Sequence, residues 1–150
     1  MIDRKFRSPE AVRLARITYR QLDYWARIGL VRPTEGHGDG CGSIRLYSYR
    51  DVFDLFLVAR FAHAGMSLQR CRAMIDVLHQ AEMEEGEDPY TGTLVIEEGC
   101  PPRLVSPRAM TRALRESGAA FVVLLPRLEE IFDERVMEVA PGWLESERSA

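Results

Sequence analysis

Ile17-Thr18-Tyr19-Arg20-Gln21-Leu22-Asp23-Tyr24-Trp25-Ala26-Arg27-Ile28-Gly29-Leu30-Val31 holds the parts of one short helix with two unlike sides. Thr18 is a good N-cap, because its hydroxyl accepts an amide hydrogen left free in the first turn. Gly29 stands where a left-handed glycine commonly ends a helix. At about 100° per residue, Leu22, Trp25 and Ala26 share one side, and Arg20, Asp23, Tyr24 and Arg27 share the other. Two arginines around a tyrosine suit phosphate and base-edge contact in a nucleic-acid groove. The same residues would also serve as an ordinary solvated face, so the flanking segments have to decide.

Upstream, Ser8 followed by Pro9 is a strong helix start. It predicts a first helix from Pro9 to about Leu14 and a tight turn over Ala15 to Ile17. Two short helices joined in this way form a helix-turn-helix. Downstream, Leu30-Val31-Arg32-Pro33 reads as extended, and Thr34 to Ser43 holds Gly36, Gly38, Gly40 and Gly42, a loop composition. Ile44-Arg45-Leu46-Tyr47 alternates and reads as a returning strand. These segments predict a hairpin with a long tip directly after the groove-docking helix, which is the layout of a wing.

Ser48 and Asp51 have nearly the spacing and chemistry of a capping box. The helix they open carries Val52, Leu55, Phe56 and Ala59 on one face and Phe53, Leu57 and Phe61 on a second. So much apolar surface implies burial on two sides, against the core and against a partner. Gly65 ends that helix. Ser67 caps another with Leu68, Cys71, Ile75 and Leu78 as its seam, expected to end near His79 or Gln80. The acidic stretch that follows, with Glu82, Glu84, Glu85, Glu87 and Asp88, reads as a linker over 81–92. In the remainder, Thr93 to Glu97 and Arg103 to Val105 predict a hairpin. Ser106-Pro107 opens a helix that Gly118 stops, Phe121 to Leu125 reads as a buried strand, and Pro126 opens a last helix along Leu128, Ile131, Phe132 and Val139. Trp143, beyond it, is a candidate to dock. The expected organisation is therefore mainly α: a winged helix-turn-helix over 1–80, a linker over 81–92, and a small α+β unit over 93–150.

The net charge of −3 conceals a gradient of +5 over residues 1–50, 0 over 51–80 and −8 over 81–150. A basic front half favours a polyanionic partner. Lys5 is the only lysine among the twenty basic residues, and arginine favours bidentate contacts to phosphate and guanine. No apolar run approaches the ~20 residues needed to span a bilayer. The charged stretch from Met1 to Arg7 does not resemble a signal peptide. Three widely spaced cysteines, Cys41, Cys71 and Cys100, are not a disulfide framework. The expectation is a cytoplasmic protein with no membrane partner. His37 and Cys41 offer only two ligands to a metal, and Cys71 falls on a buried seam, so no metal or other cofactor is expected. His63 and His79 lie on helices without a supporting cluster. No catalytic triad or phosphate-binding glycine loop is present, and no enzyme is expected.

The first 80 residues resemble the MerR family of transcription regulators. The resemblance rests on the helix-turn-helix, Thr18-Tyr19-Arg20-Gln21-Leu22-Asp23-Tyr24-Trp25 with Ile28-Gly29-Leu30-Val31, Ile44-Arg45-Leu46-Tyr47-Ser48, Asp51-Val52, and Gly65-Met66-Ser67-Leu68. These occur in the family's order and spacing, apart from a longer wing loop, and the helix wording is similar to actinobacterial members. The resemblance implies that the second helix enters a major groove while the wing grips the flanking backbone. By position it makes Arg20 and Tyr24 recognition contacts, Arg45 and Tyr47 the wing's basic and aromatic pair, and Thr18 the small polar residue at the helix start. Tyr19 beside it joins the candidate set, while Arg27 and Arg32 enter from helical phase and charge. Asp23 stands where many members have arginine; it would accept from cytosine or hold Arg20 or Arg27 in place. No sustained heptad follows the fourth helix, so the last helix with the Phe121 strand is the candidate for dimerisation. The expected function is a homodimeric regulator that reads an inverted repeat in duplex DNA, with RNA polymerase or another protein as a further partner. The alternatives are a DNA-anchored protein-interaction module and a regulator that responds to a small molecule through its C-terminal unit.

Overall fold

The computed structural model describes residues 4–36, 44–85 and 92–142. Gly38, Gly40, Gly42, His37, Cys41 and Trp143, all singled out above, lie outside them. Contacts divide the chain into two compact units, Met1–Gly65 with Ile131–Ala150, and Met66–Glu130.

The first unit begins with β1 (Phe6–Arg7) and α1 (Ser8–Ala15). The N-cap of α1 is Arg7, one residue earlier than the sequence indicated. The Glu10 carboxylate accepts from the Arg7 amide at 3.0 Å, which is the N3-to-N-cap half of a capping box, while no side chain among the described residues caps the first-turn amides. A left-handed Arg16 then turns the chain into α2 (Tyr19–Arg27). Thr18 caps α2 as expected, and Gln21 completes a capping box by accepting from the Thr18 amide at 2.9 Å. Gly29, at φ +71°, follows the helix end.

The wing departs from the expected hairpin. β2 (Leu46–Tyr47) pairs antiparallel with β1, with Phe6 opposite Tyr47, and its other neighbour is a single bridge from Glu35 to Leu46. Leu30 and Val31 do not join a ladder, because both amides donate to the Trp25 carbonyl at the end of α2. Pro33 has no amide to give. Gly36, at φ +73°, closes the wing base, and a Cβ there would overlap the Ile44 carbonyl. Asp51 accepts from Thr34 Oγ1 and from the Ser48 amide, which ties the wing's descending limb to the next helix.

That helix, α3 (Tyr49–His63), opens with the Ser48–Asp51 box. Its two apolar stripes are both covered by this chain, not by a partner. One meets α1. The distal part of α6 (Leu125–Val139) meets residues of both, where the Phe132 ring lies 5.2 Å from Tyr49, 5.2 Å from Phe53 and 5.4 Å from Phe56. Tyr49 donates to Asp133 at 2.6 Å on the same contact. Phe132 and Val136 are fully buried, whereas Leu128, Ile131 and Val139 of the expected seam are only half-buried.

The second unit holds α4 (Leu68–Glu85), β3 (Thr93–Ile96), β4 (Arg103–Val105), α5 (Pro107–Ser117) and β5 (Phe121–Leu124). Ser67 and Ser106 cap the helices that follow them. α4 runs through Glu85, so residues 81–85 are helix and not linker. The sheet order is β4-β3-β5, with Leu94 opposite both Leu104 and Val123. All of β3 is buried, as a central strand covered on both faces should be. β5 is an edge, and of its residues only Val123 is buried, whereas Leu124 is 55% exposed. The strand read as buried is therefore half open. Among the described residues, no helix is long and apolar enough to cross a membrane, and no group of three or more His, Cys, Asp or Glu side chains is placed to hold a metal.

Candidate nucleic-acid interface

The buried side of α2 is Leu22 and Trp25, with Ala26 half-buried. This seam fixes the rotation of the helix and turns Tyr19, Arg20, Tyr24 and Arg27 outward. Tyr19 is 58% and Tyr24 46% exposed, high values for large aromatic groups that no neighbour demands. Arg20 is exposed and has no partner among the described residues, which leaves all its donors available. The Thr18 hydroxyl is engaged in the cap, accepting from the Gln21 amide at 3.1 Å. The cap fixes the first turn of α2, whose remaining free amides suit an anion.

Asp23 proves to be a brace. One carboxylate oxygen lies 3.2 Å from Arg27 Nη2, and the other accepts from Arg45 Nη2 at 3.0 Å. It holds Arg27 as anticipated, but its second partner is Arg45, not Arg20. The pair ties the exposed edge of α2 to the foot of the wing. Arg45 is consequently restrained, with its side chain 21% exposed, while Arg27 remains open to solvent. Arg32 is exposed just past the turn at Gly29. Lys5 forms an ion pair with Glu35 at the wing base, a contact the sequence did not reveal, because β1 comes from the other side of the helix pair.

Tyr47 does not stand where a wing contact needs it. Its side chain is fully buried opposite Phe6, and burial pushes its phenol above the ordinary value of 10.0, against the nearby Arg45 charge that lowers it. In this structure it is a core residue. The aromatic groups at the surface are Tyr19 and Tyr24 instead. The exposed set is then Tyr19, Arg20, Tyr24 and Arg27 from one helix, with Arg32 and the braced Arg45 beside it.

Residues 6–78 match the family model described as MerR HTH family regulatory protein. They form a MerR-family domain. The matched region takes in the helix-turn-helix, the wing and α3, and it stops within α4. Proteins named as uncharacterized HTH-type transcriptional regulators in Mycobacterium bovis and in two strains of Mycobacterium tuberculosis are 45% identical to this chain over 80 residues. That stretch is 53% of this chain and 36% of each relative, so the chain covers about a third of the relatives' length. The cysteines and histidines of this domain assemble no candidate ligand cluster among the described residues. Cys71 is buried, and burial raises its thiol above the ordinary range, which keeps it a protonated core group.

Proposed function

We propose that the chain is a transcription regulator that binds duplex DNA through α2 and the wing, two copies reading an inverted repeat. The observation that carries this reading is the outward face of α2, where Arg20 is unpaired between two exposed tyrosines and Asp23 braces Arg27 and Arg45 at the wing. A face kept only for solubility has no need of large exposed aromatic rings. Arg20 and Tyr24 read base edges, while Arg27, Arg32 and Arg45 meet phosphates. Homodimerisation is part of the proposal, since a MerR-type domain covers one half-site and two-fold DNA calls for a two-fold protein. The half-buried remainder of the α6 seam and the open edge of β5 with Leu124 are the places to look for the second copy.

Selection from a randomised duplex library at near-physiological salt tests this. Enrichment of an inverted repeat is expected. Retention without enrichment, vanishing as salt rises, would leave only non-specific attachment and sink the reading.

A further inference from the structure

A second concentration of arginine lies outside the set assigned to DNA. The end of α1, the last turns of α3 and the distal part of α6 enclose a hollow of about 430 Å³. Arg16, Arg60, His63 and Arg135 line it, with the Phe56 ring at its floor. Arg135 lies 4.9 Å and Arg60 5.7 Å from the ring centroid, so two guanidiniums stand over one aromatic ring. Arg135 donates through Nη1 to the Leu14 carbonyl at 3.1 Å, which fixes it by capping the last turn of α1. Arg60 and Arg16 have no such structural task. Arg16 is the one non-glycine residue at positive φ among those described, a conformation that favours glycine or asparagine.

Three guanidiniums without a carboxylate among the lining residues repel one another. The guanidinium of Arg135 is correspondingly easier to deprotonate than usual, first from burial and then from Arg16 and Arg60, with Glu138 only partly offsetting them. Charge gathered against its own repulsion, around a concave space with small alanine walls, is an arrangement for an incoming anion. Planar, multi-donor arginine suits tetrahedral phosphate oxygens in particular.

We propose that this hollow is a binding site for a small phosphate-class anion, separate from the DNA-contacting face. Arg135 and Phe56 form its fixed floor, and Arg60 and Arg16 close on the ligand. Because Arg16 lies two residues before the Thr18 cap, occupancy would bear directly on the turn that aims α2.

The test is thermal melting of the whole chain with phenyl phosphate, run against sodium chloride at matched ionic strength. The expected result is a saturable rise in Tm with phenyl phosphate and none with chloride. Arg60→Gln and Arg16→Gln should each weaken the apparent Kd at least tenfold, while the ligand-free Tm stays at or above wild type because repulsion is relieved. A rise that never saturates, or one that survives unchanged in both variants, overturns the proposal. The same variants are then measured on a random duplex. Unchanged affinity keeps the site distinct from DNA. A uniform loss with a shallower salt slope, alongside no saturable response to phenyl phosphate, makes these arginines backbone contacts and overturns it equally.

Discussion

Arg20 and Arg45 are both cations of the proposed interface, but they stand in different electrostatic settings. Arg20 is unpaired, so truncation removes its contact with DNA and leaves nothing behind. Arg20→Ala should cost about 1–3 kcal/mol on the selected operator and little on random DNA. Equal weakening on both duplexes would make it a phosphate contact. Arg45 is held by Asp23, and its removal also frees that carboxylate beside the DNA. Arg45→Ala should therefore weaken every duplex alike and reduce the salt slope by about 0.9, the share of one neutralised phosphate. Helical phase made Arg20 and Tyr24 legible, because one well-filled seam fixes a helix's rotation. It could not place Tyr47. A strand of two residues has no pattern from which to tell core from solvent, and the partner that buries Tyr47 is Phe6, far away in sequence. The burial has a measurable consequence. Above pH 10.0 the unfolded phenol ionises while the folded one stays protonated, so the folded state holds more protons and stability falls as pH rises. Below that pH the contribution is whole. Tyr47→Phe should flatten this alkaline decline in urea titrations at several pH values and leave DNA affinity unchanged. A steep drop in affinity at pH 7 would return Tyr47 to the interface.

Most helix starts were readable, because a cap is a local transaction between neighbouring residues, although Ser8 gave way to Arg7 at the start of α1. Thr18, Ser48, Ser67 and Ser106 all cap where their side chains predicted. The end of α4 was not readable, since an acidic composition suits a linker and an exposed helix equally well. Gln80, Glu82, Met83 and Glu84 are sound helix formers, Gln80 donates to Glu84 one turn on at 2.9 Å, and Gly86 is the first breaker in the sequence. The wing was illegible for another reason. Its pairing is long-range, and Leu30 and Val31, which have the composition of half a hairpin, are held by the Trp25 carbonyl. Of the four glycines read as loop composition, Gly36 has a specific task in the structure. Gly36→Ala meets both an unfavourable φ and the Ile44 carbonyl, and should cost about 1 kcal/mol or more. Urea unfolding measures that cost, and duplex binding should show a weaker grip through the wing with base preference retained. An unaltered protein would mean that the wing base is not closed in this way.

At the scale of the whole molecule, the MerR domain is not finished by the residues that match the family. Its first compact unit recruits Ile131 onward, and Phe132 is enclosed by Tyr49, Phe53 and Phe56 of α3. No periodicity over the first 80 residues could foretell this, because the covering helix lies at the other end of the chain. The sequence showed only that α3 had one apolar stripe too many, and such a surplus is equally what an interface between copies would leave. Two consequences follow from the internal cover. Phe132→Ala should destabilise the DNA-binding half by about 3–5 kcal/mol, the range for a large buried ring replaced by a methyl group. Followed through Trp25 fluorescence with Trp143 replaced by phenylalanine, that destabilisation should appear in the same urea transition that abolishes DNA binding. A fragment ending at Gln80, which keeps α1, α2 and α3 whole, should expose the Phe53 stripe and aggregate or melt far below the full chain. If the fragment instead folds and binds DNA as tightly as the full chain, α6 is only an accessory, and the second stripe of α3 is again free to serve as a surface for another molecule. The two variants separate these cases: a side chain that merely rests on an independent domain cannot carry several kcal/mol of its stability, whereas one that completes the core must.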